Sequence, residues 1–151
     1  LIKDGKVCLS LLGTWNGEKA ESWNVQTSTL LQVLVSIQSL ILVPQPFFNE
    51  PGYERQLGTE EGTTHSRQYN DKQRENTIHL GMVDMLKRPL KSFTRVIEAH
   101  FYLRQRYLTD LVDRYIDEAR NSPGASRGHL ERLERLSVEL KERLAMLSPP
   151  V

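Results

Sequence analysis

Cys8 is the sole cysteine of the 151-residue chain, set in Asp4-Gly5-Lys6-Val7-Cys8-Leu9-Ser10-Leu11-Leu12 just after a glycine turn. Buried, such a thiol serves as a small hydrophobe. Exposed and ionised, it is a nucleophile able to carry an acyl group. A cysteine hydrolase would set it beside an imidazole, and the chain has four histidines, His65, His79, His100 and His129. None stands in a hydrolase signature, and His79 and His100 fall in amphipathic helical segments. One cysteine and scattered histidines make no metal-ligand spacing, so no metal is expected. No glycine-rich phosphate cradle is present, so no nucleotide cofactor is expected either. Lys87-Arg88 and Arg104-Gln105-Arg106 are short basic groups that read as solvated surface.

The elements that must hold these residues follow from periodicity and punctuation. Residues 1–12 read as extended, with a turn at Asp4-Gly5. Residues 13–26 form a loop with Trp15, Trp23 and the charged insertion Glu18-Lys19-Ala20-Glu21. Thr27 and Ser28 are good caps for a helix over 29–43. Its Leu30, Leu31, Leu34, Val35, Ile37, Leu40 and Ile41 cover more than one face, which predicts burial on most sides. Pro44, Pro46 and Pro51 end that helix and stiffen the loop that follows.

A Gly/Thr/Glu-rich connection over 58–64 leads into a helix over 66–87, stopped by Pro89. The next helix spans 90–106, with Phe93, Val96, Ile97, His100, Phe101 and Leu103 as its inner stripe. It continues or kinks into 108–120, and Asn121-Ser122-Pro123-Gly124 breaks it. The last helix, 127–147, sets Leu133, Leu136, Leu140, Leu144 and Leu147 at three- and four-residue spacing. Such a seam folds back on the preceding helices or pairs with another chain. The short turn before it favours the antiparallel return.

Hydrophobic residues make up 38% and charged residues 26% of the chain, which suits a globular domain with a real core. Twenty basic and 19 acidic residues leave a formal charge of +1. That balance gives no global attraction to nucleic acid or to an anionic membrane. The apolar run over 30–44 is interrupted by Gln32, Ser36, Gln38 and Ser39 and is too short for a membrane span. A single thiol excludes an internal disulfide and suits a reducing, cytoplasmic compartment. The chain opens at Leu1 with no initiator methionine and no secretory leader, and reads as a fragment of something longer.

Four blocks then stand out in order: Lys6-Val7-Cys8-Leu9-Ser10-Leu11-Leu12-Gly13-Thr14-Trp15, Ser22-Trp23-Asn24, the stretch over 31–43, and Phe48-Asn49-Glu50-Pro51-Gly52-Tyr53-Glu54. Together they resemble the catalytic (UBC) domain of ubiquitin-conjugating enzymes. The likeness covers roughly residues 1–97 and is nearest to the large BRUCE/Apollon-like subgroup of hybrid conjugating–ligase proteins, which share the insertion between the tryptophans. The resemblance implies an α+β fold, of which this chain holds a mostly helical part without the first helix and most of the antiparallel sheet. It divides the chain into the C-terminal part of the catalytic domain, 1–106, and a helical extension, 107–151.

The resemblance also implies roles for residues. Cys8 would accept ubiquitin as a thioester from the activating enzyme and pass it to a substrate lysine or a ligase cysteine. Glu50, with Asn49 before it, matches the acidic gate beside the cysteine, where the incoming amine is oriented and deprotonated; family members commonly have Asp there. Val35 and Ser39 fall where the donor ubiquitin packs on the crossover helix. Trp23, Asn24 and Val25 fall on the ligase-contact loop, where many members have Ser-Pro-Ala and this chain has Val25 in place of the proline. Tyr69-Asn70 matches a structural pair. The family's His-Pro-Asn asparagine, eight positions before the cysteine, would fall immediately before Leu1. No cofactor is implied, because ATP is used by the upstream activating enzyme. The implied partners are ubiquitin, the activating enzyme and a ubiquitin ligase or ligase regions of the same large protein, with no nucleic acid and no membrane span. The rival readings are a UBC-like scaffold without catalysis and a helical protein-interaction module.

Overall fold

The computed structural model describes residues 7–15, 17–18, 21–50, 52–122, 124 and 126–150. The turn expected at Asp4-Gly5 lies outside these residues, as do Lys19, Ala20, Pro51 and Pro123. The described residues are mostly helical and contain no strand. The chain forms two compact units, Leu1–Arg67 and Gln68–Val151.

In the first unit, a 3₁₀ turn Ser10–Leu12 closes on Gly13, whose φ of +64° is the left-handed geometry that favours glycine. Helix α1 is Leu30–Leu40. Thr29, one residue past the expected Thr27 and Ser28, begins it with a capping box. Its hydroxyl accepts from the Gln32 amide at 3.3 Å, and the Gln32 side chain accepts from the Thr29 amide at 2.7 Å. The helix stops three residues short of 43, where the amides of Ile41 and Leu42 both donate to the Ile37 carbonyl ahead of Pro44. Only Val33 of α1 is buried, and Leu30, Leu31, Leu34, Val35 and Leu40 are exposed. The predicted burial on most sides is therefore corrected: among the described residues no sheet covers this helix.

Helix α2 is Glu60–Asn76 and starts six residues ahead of the expected 66. Thr59 supplies the missing start signal, its hydroxyl accepting from the Gly62 amide at 2.9 Å. Gly62 is required there, since a Cβ would sit 2.1 Å from the Gln56 carbonyl oxygen. The helix runs on through a π-helical turn, Thr77–Val83, into α3, Asp84–Lys87. The wider π turn lets residues four and five apart share a face, and Ile78, Met82 and Val83 are all buried.

The second unit is an antiparallel helical hairpin closed by this segment. Helix α4, Thr94–Asn121, is a single helix of 28 residues, so no kink separates 90–106 from 108–120. The boundary expected between 106 and 107 falls inside it. Its core face is Phe101, Leu108, Val112, Ile116 and Ala119; Phe93, Val96 and Leu103, expected inside, are exposed. Helix α5, Arg127–Ala145, returns along it, capped by Ser126. Leu133, Leu136, Leu140 and Leu144 are buried in the core of this same chain, with Leu147 packed against them. The leucine seam is thus consumed by the fold-back. Lys141 to Asp113 at 2.7 Å and Arg120 to Glu134 at 2.7 Å flank the hairpin, exposed pairs that add little to the leucine packing that holds it.

Candidate active site

Cys8 is half-buried and free of any disulfide. Its neighbours are held by one hydroxyl. Thr14 Oγ1 accepts from the Leu9 amide at 3.0 Å and donates to the Val7 carbonyl, so the residues on both sides of Cys8 are tied to the same atom. The Thr14 amide in turn donates to the Leu9 carbonyl at 3.3 Å, and the Leu9 side chain is buried. This clasp fixes the backbone on both sides of the half-buried Cys8. Thr14 was quoted in the sequence only as part of a matching block; its spacing from Cys8 carries no periodic signal, and the clasp appears only once the Ser10–Leu12 turn folds the chain back.

The loop after α1 is built on Phe47, which is buried and stacks on Tyr53 at 4.6 Å, meets Phe48 edge-on at 5.3 Å and faces the His65 ring at 6.0 Å. Asn49 donates through Nδ2 to the Leu40 carbonyl, satisfying an orphan acceptor at the end of α1 and anchoring the loop to that helix. Glu50 is exposed, and its own carbonyl accepts from the Tyr53 amide at 3.1 Å, turning the chain back. The Asn49 side chain thus ties this loop to the end of α1, and Glu50 stands exposed beside it.

Val35 and Ser39 lie one turn apart on the exposed side of α1, joined by a hydrogen bond from Ser39 Oγ to the Val35 carbonyl at 2.9 Å. Asn24 organises the loop before α1: its Oδ1 accepts from the Gln26 amide at 2.9 Å, and its carbonyl accepts from the Thr27 and Ser28 amides. Val25 stands at the tip of that turn, 87% exposed, with Trp23 beside it also exposed.

The histidines all have local structural partners. His65 Nδ1 lies 3.0 Å from Gln56 Oε1, and His79 Nε2 is 3.9 Å from Asp84. His100 packs edge-on to Phe101. His129 is buried between carboxylates, with Nδ1 2.7 Å from Glu75 and Nε2 3.6 Å from Asp71. Glu75 is buried too, and Arg132 donates to both its oxygens at 2.8 and 3.0 Å. Burial pushes the Glu75 carboxyl up, but the hydrogen bonds from Arg132 and His129 and the charges of Arg132 and Lys72 outweigh it and hold it below its ordinary range. This network, spanning 54 and 57 positions of sequence, was invisible to pattern reading. Among the described residues no group of His, Cys, Asp and Glu is arranged to hold a metal ion, and no helix is long and apolar enough to cross a membrane.

No protein-family model matches the chain. It is 44% identical over 156 residues to the mouse dual E2 ubiquitin-conjugating enzyme/E3 ubiquitin-protein ligase BIRC6, covering 99% of this chain and 3% of that protein. It is 45% identical over 124 residues to the probable ubiquitin-conjugating enzyme protein 17 of Caenorhabditis elegans, covering 82% of this chain and 17% of that protein. It is 52% identical over 105 residues to the probable ubiquitin-conjugating enzyme E2 25 of Arabidopsis thaliana, covering 68% of this chain and 17% of that protein. The chain thus spans a small part of the length of each of these relatives. With nearly its whole length aligned and curated homologues at 38–52% identity, the chain belongs to the ubiquitin-conjugating enzymes of the E2 class.

Proposed function

We propose that this chain is the catalytic-cysteine half of a UBC-type α+β domain and that Cys8 carries ubiquitin. The observation that supports this most is the Thr14 clasp, which ties the residues on both sides of the half-buried, sole cysteine within the segment that aligns to E2 proteins. In the proposed loading step the Cys8 thiolate attacks the carbonyl of the ubiquitin thioester on the activating enzyme. The activating-enzyme thiolate leaves, and a new thioester forms on Cys8. In the discharge step a lysine amine attacks that thioester, the Cys8 thiolate leaves, and an amide forms.

The attacking amine must be neutral and must lose a proton along the way. Glu50 is the residue proposed to orient it and receive that proton. Its exposed position at the lip of the anchored loop suits an amine arriving from another protein. Val35 and Ser39 are proposed to seat the donor ubiquitin, which orders the thioester for attack. Trp23, Asn24 and Val25 are proposed to meet a ligase. Residues 107–151 are proposed as a helical extension of the catalytic part, and the setting is cytoplasmic, where the thiol stays reduced.

The test is loading. The protein is incubated with activating enzyme, ATP and ubiquitin and resolved with and without reductant. A reductant-sensitive adduct is expected, Cys8→Ser should give a reductant-resistant ester, and Cys8→Ala should give none. An equal adduct on Cys8→Ala removes the assignment, and no adduct on a longer chain that restores the segment upstream of Leu1 favours the non-catalytic scaffold.

A further inference from the structure

Helix α4 has 28 residues and its antiparallel partner α5 has 19, so the start of α4 extends past the end of the hairpin. Phe93, the last residue of the 3₁₀ turn Lys91–Phe93 just before α4, and Val96, Leu103 and Tyr107 along the helix recur with His100 at i, i+3, i+7, i+10 and i+14. These positions form one stripe on a helix, on the side away from the buried Phe101 and Leu108. All four apolar side chains are more than half exposed. An apolar stripe of this length left open to solvent on a regular helix is a surface made to pair with another helix.

The charges around the stripe decide which helix. At the positions that flank the stripe stand Arg104 and Arg106, Arg106 with Asp110 4.0 Å away, and no acid flanks it between Phe93 and Tyr107, although the chain as a whole carries only +1. Self-pairing would bring these arginines against their copies, which costs free energy. An acidic partner would pair with them. We propose that this face of α4 docks an amphipathic helix with a leucine-type apolar stripe and acidic flanks, supplied by another protein. The interaction is separate from ubiquitin transfer, and its test does not pass through Cys8.

The whole 151-residue chain is titrated, by fluorescence anisotropy, into two labelled three-heptad helical peptides. Both have leucine at a and d; one carries glutamate at e and g, the other lysine. The glutamate peptide should bind more tightly by at least about tenfold, and its binding should weaken as salt is raised. Leu103→Glu should lower that affinity by at least about tenfold. The paired reversals Arg104→Glu and Arg106→Glu, on a solvent-facing surface, should invert the preference between the peptides. Circular dichroism confirms that each variant keeps its helices. Failure of the glutamate peptide to bind, equal binding of the lysine peptide, or indifference to Leu103→Glu overturns the proposal. A sedimenting dimer of the wild type that Leu103→Glu disperses also overturns it, assigning the stripe to a second copy.

Discussion

The two units of this chain are stabilised in different ways. Among the described residues the first, Leu1–Arg67, buries the hydrophobic side chains of Leu9, Val33 and Phe47, and its order rests on short-range hydrogen bonds: the Thr14 clasp, the Thr29–Gln32 capping box, the Asn24 turn and the Asn49 anchor. The second, Gln68–Val151, has a contiguous core from Ile78 to Leu144 and a buried ionic network. The residues proposed for chemistry all lie in the first. A thiol that must meet large protein partners has to stay at the surface, and surface loops are fixed by hydrogen bonds where burial is not available. The second unit contributes a packed core and the proposed helix-docking face, and none of the proposed chemistry.

That contrast is broken most strongly through the core. Leu140 is almost fully buried, and Leu140→Ala should cost about 2–5 kcal/mol in urea unfolding. Val33→Ala in the first unit should cost about 1–2 kcal/mol, the transfer term alone, because the side chain is packed on fewer sides. Equal losses would show that Val33 is packed as fully as Leu140.

The next effect is chemical and confined to the first unit. Glu50→Gln should leave thioester formation intact and slow discharge to free lysine by about 10²-fold, since only discharge needs a proton removed. Unchanged discharge at neutral pH would return Glu50 to an idle, solvated role.

The ionic network of the second unit gives a pH signature of its own. Glu75 is held below its ordinary value of 4.5, so its contribution to stability is complete above that value and disappears as pH falls through the lower folded-state value. Glu75→Gln should cost about 1–3 kcal/mol at neutral pH and should flatten the acid limb of the stability curve. A Glu75→Gln protein that loses stability with acid as steeply as the wild type would assign that limb to other carboxylates.

The smallest effect sharpens the account of the clasp. Thr14→Val keeps the shape and removes both hydroxyl bonds, costing about 1–2 kcal/mol. Loading of Cys8 should slow by a few-fold, and Thr14→Ser should restore it. A Val variant that loads at the wild-type rate would show that the Ser10–Leu12 turn alone positions the thiol.

Much of this was legible in the sequence. Prolines and caps placed α1 and its following loop within a few residues, and the Asn121–Gly124 break separated α4 from α5 as observed. The resemblance to ubiquitin-conjugating enzymes rested on four ordered blocks, and the relatives agree with it. The early start of α2 was missed because 58–64 reads as loop by composition, while Thr59 and Gly62 act through a cap and a close approach to Gln56. The inner stripe of α4 was misread because Phe93, Val96 and Leu103 are as apolar as Phe101, and hydropathy does not say which of two apolar stripes meets a neighbour.

The sequence by itself determined where the helices lie, which residue is the lone thiol, and that α5 carries a leucine seam. These depend on local propensity, chain punctuation and periodicity, which act over one or two turns. Tertiary structure decided that the seam is buried against α4, that α1 keeps its leucines in solvent, that Thr14 grips both neighbours of Cys8, and that Glu75 meets His129 and Arg132. The reason is physical: a pattern fixes which face of an element is apolar or charged, but the free energy of that face depends on what covers it, and the covering group is supplied by residues distant in the chain.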